Sequence, residues 1–152
     1  MLMTPVSYTL AVGAAEGVTP LNAFDNALLA AGIGNINLLK VSSILPPGVK
    51  YVEAFQIAPG SLVPTAYCTV TSGVPGERIA AAVGVGLCRE SFGVIMEYEG
   101  TGTREEAEAE VGRMLQAAFE QRQMKLDEVK IRGVDYHVKT IGSVVAAAVL
   151  WY

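Results

Sequence analysis

Charge is scarce in this chain of 152 residues: Asp, Glu, Lys and Arg together make up only 17% of it, where about a quarter is usual for a soluble domain. Cations are scarcest. Lys and Arg number 11 against 15 Asp and Glu, a net charge of −4, so no basic stripe is available to neutralise phosphates and a nucleic-acid partner is excluded. Histidine occurs once, at His137, and cysteine twice, at Cys68 and Cys88. No spacing among them matches a metal motif, so no metal site is expected, and both cysteines, set in apolar runs, are expected to be buried free thiols. Long hydrophobic runs are missing too. The longest, Val144 to Tyr152, is far too short to cross a bilayer. The start, Met1-Leu2-Met3-Thr4-Pro5, has neither the basic stretch nor the apolar core of a secretion signal. The chain is expected to be soluble and cytoplasmic, with no membrane partner.

Apolar residues, by contrast, are plentiful at 51%. The length suits one domain over residues 1–152. So apolar a chain needs sheets covered on both faces, further apolar area buried between subunits, or both; a homo-oligomer is expected. No internal repeat, low-complexity segment or linker interrupts it.

Turn and cap residues divide the chain. Ser7 to Ala14 reads as a strand. Thr19-Pro20 opens a helix, with Thr19 as the cap and Pro20 in the first turn, and Gly32 and Gly34 close it. Ile36 to Ile44 reads as a strand that Pro46-Pro47 stops. Tyr51 to Pro64 is loop-rich, Ala66 to Thr71 a strand, and Val74-Pro75-Gly76 a turn. Arg78 to Cys88 is ambiguous: its alanines favour helix, while Gly84, Gly86 and the interspersed valines fit a strand closely approached by its neighbours. Phe92 to Tyr98 is a strand. Thr103, with Glu106 three residues on, starts a long helix, whose apolar face is Val111, Met114, Leu115, Ala118 and Phe119. Val129 to Val138 and Ile141 to Leu150 are closing strands. Periodicity alone gives an α+β fold.

Chemistry is concentrated in a few places. Ser42-Ser43 is followed by Ile44-Leu45-Pro46-Pro47. The Ser43 hydroxyl can attack the carbonyl of residue 42, turning amide into ester. Elimination then leaves dehydroalanine, which hydrolyses with loss of ammonia to a ketone at the new N-terminus; a solvated turn or strand end is the plain alternative. Such a ketone acts as an electron sink toward amine substrates. Strand periodicity puts Asn37 on the face of Ser43, where its amide can orient a carbonyl or simply bond local backbone. Asp25 lies mid-helix beside Leu21, Leu28 and Leu29. It either reaches water or an internal arginine, or clamps a guanidinium through two parallel hydrogen bonds. Glu97 and Glu99 share a strand face: either at least one holds its proton to higher pH and serves as a proton donor, or both are solvated carboxylates at a strand end; spacing does not choose between the two residues. Gly32-Ile33-Gly34-Asn35 follows a helix and is no phosphate loop. Lys40 reads as a surface or structural lysine, His137 as an exposed strand residue, and Ser61, Ser72 and Ser91 lack a base.

The ordered set Glu16-Gly17-Val18-Thr19-Pro20-Leu21-Asn22-Ala23-Phe24-Asp25, Ala30-Ala31-Gly32-Ile33-Gly34-Asn35-Ile36-Asn37, Val41-Ser42-Ser43-Ile44-Leu45-Pro46-Pro47, Leu62-Val63-Pro64-Thr65-Ala66-Tyr67, Ile95-Met96-Glu97-Tyr98-Glu99-Gly100 and Ala146-Ala147-Ala148-Val149-Leu150-Trp151-Tyr152 resembles the pyruvoyl-dependent arginine decarboxylases over nearly the whole chain. The resemblance implies a four-layer αββα sandwich and self-cleavage between Ser42 and Ser43, into a β chain of residues 1–42 and an α chain of residues 43–152 headed by a pyruvoyl group made from Ser43. It implies decarboxylation of arginine to agmatine, with Asp25 on the guanidinium, Asn37 in the active site, Glu97 as the acid, Leu28 and Ile44 as apolar walls, and a trimer whose sites lie between subunits. Two other readings stay open: a pyruvoyl decarboxylase for a different amino acid, and an oligomeric scaffold in which Ser43 remains serine.

Overall fold

Local signals set the first helix. In the computed structural model, which describes residues 2–152, the Thr19 hydroxyl accepts the Asn22 N–H at 3.1 Å and Pro20 opens α1 (Pro20–Ala30). Met1, the first residue of the stretch scanned for a secretion signal, lies outside the described residues. Gly32 ends the helix with φ of 82°, a conformation that a Cβ disfavours. Gly34 works differently: a Cβ there would stand 2.5 Å from Leu29 Cδ2. The strand before the helix, β1 (Ser7–Glu16), runs two residues beyond its expected end. Its last side chain explains why. The Glu16 carboxylate accepts the N–H groups of Lys139, Thr140 and Ile141 at 3.0, 2.9 and 3.1 Å, tying β1 to the far end of the chain.

The remaining strands are β2 (Asn37–Lys40), β3 (Ile44–Leu45), β4 (Lys50–Tyr51), β5 (Leu62–Ser72), β6 (Arg78–Leu87), β7 (Gly93–Thr101), β8 (Glu128–His137) and β9 (Gly142–Trp151). They make two mixed or antiparallel sheets, ordered β2-β5-β9-β1-β4 and β3-β7-β6-β8. Alternating side chains sort into layers. Ile79, Ala81, Val83 and Val85 of β6 join Ala66, Cys68, Val144, Ala146 and Ala148 between the sheets. The alternate residues Ala80 and Ala82 meet Ala107, Val111 and Leu115 of α2 (Arg104–Arg122). On the other side, Ala27 and Leu28 of α1 pack on Ala11, Ala147 and Val149. Helix, sheet, sheet, helix is therefore the layer order, an α+β sandwich of four layers.

The ambiguous Arg78 to Cys88 stretch is strand, and its glycines let a helix come close. A Cβ at Gly84 would lie 2.5 Å from Val111 Cγ1, and one at Gly86 2.6 Å from Phe119. Thr103 caps α2 through the Glu106 N–H at 3.1 Å, and Asp135 of β8 takes the Arg104 N–H at 2.7 Å. Of the expected apolar face, Val111, Leu115, Ala118 and Phe119 are buried and Met114 is half-buried; Ala107 completes the stripe. Cys68 is buried as expected, but Cys88 is only half-buried, because it follows the end of β6 where the chain turns outward.

One expectation fails in a useful way. Ile36 to Ile44 is not one strand. β2 pairs in parallel with β5 in the first sheet, whereas β3 pairs antiparallel with β7 in the second. Residues 41–43 carry the chain from one sheet to the other, so the two-residue period does not run through them, and a shared face for Asn37 and Ser43 no longer follows.

Candidate active site

The Ser42–Ser43 peptide sits in that crossing. Its flanks are anchored on opposite sheets: the Val41 N–H donates to Thr65 O at 3.1 Å, and Ser43 O accepts the Ile95 N–H at 2.7 Å. Among the described residues, neither the Ser42 carbonyl nor the Ser43 N–H has a hydrogen-bond partner. Ser42 is exposed and Ser43 half-buried. The peptide is thus held at both ends and committed to no ladder.

The hydrogen bond to Ile95 sets Ser43 beside β7, and Glu97 follows two residues on. Ile95 faces the core between the sheets, and alternation turns Glu97 and Glu99 the same way. Glu97 is half-buried and Glu99 exposed. Burial raises the Glu97 pKa above the ordinary carboxylate value; the positive charge of Lys40 opposes that rise and the negative charge of Glu99 adds to it. Burial, more than the like-charge pair, shifts Glu97 toward its protonated form. Cys68 lies beneath it, its thiol directed to the carbonyls of Tyr98 at 3.4 Å and Ala82 at 3.7 Å. Burial, with the charges of Glu99 and Glu97, pushes this thiol up to about 12, so it stays protonated and inert.

The other sequence-predicted residues are spread more widely. Ile44 is the residue after Ser43 and is 43% exposed; Leu39 of β2 (47%) and Leu62 of β5 (60%), in the other sheet, are exposed too. Asn37 holds a loop: its amide donates to Gly60 O at 3.0 Å. Leu28 is buried beneath α1. Asp25 is exposed and has no hydrogen bond or ion pair among the described residues. The leucines that border it are divided. Leu28 faces the core, while Leu21 and Leu29 are exposed, leaving Asp25 within an outward stripe at four-residue spacing. A cavity of about 380 Å³, bounded by Thr9, Ile33, Glu53, Phe55 and Arg132, lies at the β1 side and includes none of the sequence-predicted site residues.

Lys40 and Tyr67 were not singled out as site residues by the sequence. The Lys40 ammonium stands 4.8 Å from the centroid of the Tyr67 ring, and Tyr67 itself stacks on Phe24. A lysine three residues before Ser43 was the one available signal.

This arrangement has counterparts. A family model described as pyruvoyl-dependent arginine decarboxylase matches residues 7–152. A protein of Methanocaldococcus jannaschii named pyruvoyl-dependent arginine decarboxylase is 47% identical over 150 residues, covering 97% of this chain and 91% of that one. Proteins of the same name from Pyrococcus abyssi and Thermococcus kodakarensis are 43% and 42% identical, each match covering 98% of this chain and 96% of theirs. This chain belongs to the pyruvoyl-dependent arginine decarboxylase family. The family's name fixes the cofactor class as a pyruvoyl group, a ketone that no ordinary side chain carries. No helix among the described residues is long and apolar enough to cross a membrane.

Proposed function

We propose that the protein decarboxylates L-arginine to agmatine and CO2, using a pyruvoyl group that it makes by cutting itself between Ser42 and Ser43. The observation that carries this reading is the peptide itself. Two adjacent pairs of Ser or Thr occur in the chain, Thr71-Ser72 and Ser42-Ser43. The first is locked into the β5–β9 ladder; the second is anchored on both flanks and unbonded between them.

Ser43 Oγ attacks the Ser42 carbonyl carbon, the C–N bond breaks, and an ester to the Ser43 side chain replaces the amide. Loss of the Ser43 Cα proton expels the Ser42 carboxylate and leaves dehydroalanine. Water then replaces the nitrogen, which departs as ammonia. Once in place, the pyruvoyl ketone supplies the electron sink that decarboxylation needs.

The chain's own side chains do the rest. Glu97, whose hold on its proton burial strengthens, gives its proton to the carbon that has lost CO2. Asp25 binds the guanidinium, matching two N–H groups with two oxygens. Asn37 orients the reacting end, and Ile44 and Leu28 supply apolar surface. Within one protomer Asp25 stands on the outward stripe of α1, a helix packed on β1 and β9, while Ser43 lies in the crossing from β2 to β3, beside β7. A trimer in which α1 of one copy meets the exposed Leu39, Ile44 and Leu62 of the next would complete the site and cover both apolar patches.

Intact mass of the denatured protein tests the first step: two fragments, residues 1–42 and a pyruvoyl-headed 43–152, are expected, and one chain from Ser43→Ala. A whole wild-type chain that no carbonyl reagent labels refutes the proposal and favours the scaffold. Release of CO2 from arginine, compared with lysine, ornithine and aspartate, tests the substrate; equal rates would remove Asp25 as a selector.

A further inference from the structure

Ser43 is held by half a ladder rung. Ile44 pairs with Val94 and Leu45 with Gly93, and the same register sets Ser43 opposite Ile95. Opposed residues of the bonded kind in an antiparallel pair exchange two hydrogen bonds. Here one is made: Ser43 O accepts the Ile95 N–H at 2.7 Å, while the Ser43 N–H has no partner among the described residues. The donor is firmly placed. Ile95 is fully buried between the sheets, and β7 is paired to β6 from Gly86 and Val94 through to Ile79 and Thr101. Ser43 is therefore divided. Its carbonyl is fixed against a dry strand, and its nitrogen, with the Ser42 carbonyl before it, is free.

That division follows the chemistry of the proposed self-cleavage, on which this inference rests. In the acyl shift the Ser43 nitrogen leaves the Ser42 carbonyl carbon, and negative charge develops on Ser42 O, which Ile95 does not touch. The next step is different. The Ser43 Cα–H bond breaks, a solvent base (water or hydroxide) takes the proton, and the electron pair moves toward the Ser43 carbonyl, whose oxygen gains negative charge. The pair then forms the Cα=Cβ bond as Cβ–Oγ breaks, and the Ser42 carboxylate departs with the electrons of that bond. A fixed N–H aimed at an oxygen that gains charge, away from water, stabilises the transition state more than the reactant. We infer that the Ile95 backbone N–H is a catalytic group of self-cleavage: it holds the charge that builds on Ser43 O during elimination and leaves the preceding acyl shift nearly untouched.

The test exchanges one atom of the backbone in the full-length chain. Cell-free synthesis places the α-hydroxy acid of isoleucine at position 95, which turns the N–H into an ester oxygen and keeps the side chain. Pyruvoyl formation, followed by intact mass, is expected to slow about 10²–10³-fold. The unresolved ester at Ser43 should accumulate, released by hydroxylamine as residues 1–42 and a 43–152 fragment that keeps its serine; scission at the introduced ester gives residues 1–94 and is distinct by mass. The same exchange at Val94, whose N–H faces β6 by alternation, is the control and should leave the elimination rate near that of the parent. A parent-like rate with the exchange at 95, or equal slowing by both exchanges, overturns the proposal. Hydrogen exchange in full-length Ser43→Ala checks the half rung without any backbone change: the Ile95 N–H should be protected and the residue-43 N–H should exchange freely. Protection of both would mean a closed, ordinary rung and would also overturn it. If the parent chain yields neither ester nor fragments, the self-cleavage reading itself fails and takes this inference with it.

Discussion

Replacing Glu97 by glutamine removes the proposed proton donor while keeping nearly the same shape and the same half-buried position between the sheets. Two consequences can be worked out separately. The first is kinetic. A positioned general acid contributes roughly 10²–10⁴-fold to rate, so kcat for arginine should fall by about that factor while the Michaelis constant changes little and self-cleavage proceeds. The second is thermodynamic and has a fixed sign. Burial, against the pull of Lys40, raises the folded-state pKa of Glu97 above its unfolded value. Below the unfolded value both states are protonated and the folded protein loses nothing. As pH rises through the folded pKa, the buried carboxyl must ionise and stability declines. Glutamine never ionises, so Glu97→Gln should be at least as stable as wild type at pH 8, with the two curves converging in mild acid. Product release by mass spectrometry and thermal melts from pH 4 to 9 read both arms. Full activity in a stable variant would move the acid role to Glu99 or to water. A variant that is inactive and also less stable at every pH would show that Glu97 packs the core and does not donate a proton.

Asp25→Ala should weaken arginine binding by roughly 2–5 kcal/mol if a neighbouring copy buries the pair; unchanged steady-state constants would take Asp25 out of the site. Glu16→Gln should lower the melting temperature at pH 7, because the Glu16 pKa is lowered first by the Lys139 N–H and also by those of Thr140 and Ile141. That stabilisation is present above the unfolded pKa and is lost as pH falls through the folded one, so a gap that persists below pH 3 would contradict it. Gly84→Val should cost about 1–3 kcal/mol in denaturant unfolding, since even a Cβ there meets Val111 at 2.5 Å; an unchanged midpoint would mean α2 shifts freely over β6.

Much of the layer architecture was legible because its causes are local. Thr19 and Thr103 mark helix starts by accepting N–H groups three residues on, and the short unbroken apolar run of β9, buried on both faces, needs no partner to be seen. The break at residues 41–43 was hidden for the opposite reason. Leu39, Val41 and Ser43 keep a strand-like alternation, no Gly or Pro marks the switch, and the partners that decide it, Thr65 and Ile95, are distant in sequence. The acidic pair was legible, but the choice of Glu97 rests on burial between sheets that spacing does not report. The Lys40–Tyr67 contact joins residues 27 positions apart across a parallel pairing. Asp25 was read as crowded by leucines. Two of those leucines point outward with it, so within one chain its surroundings are open.

The strand order carries a last consequence. The first 42 residues contribute β1 and β2, and these do not sit together: β9 and β5 lie between them. β1 is zipped to β9 along ten residues. A nick at Ser42–Ser43 therefore yields two polypeptides interlaced within a single sheet, and neither can leave without tearing that sheet apart. The severed protein should melt in one cooperative transition, and pulling on either piece should meet the resistance of the whole domain.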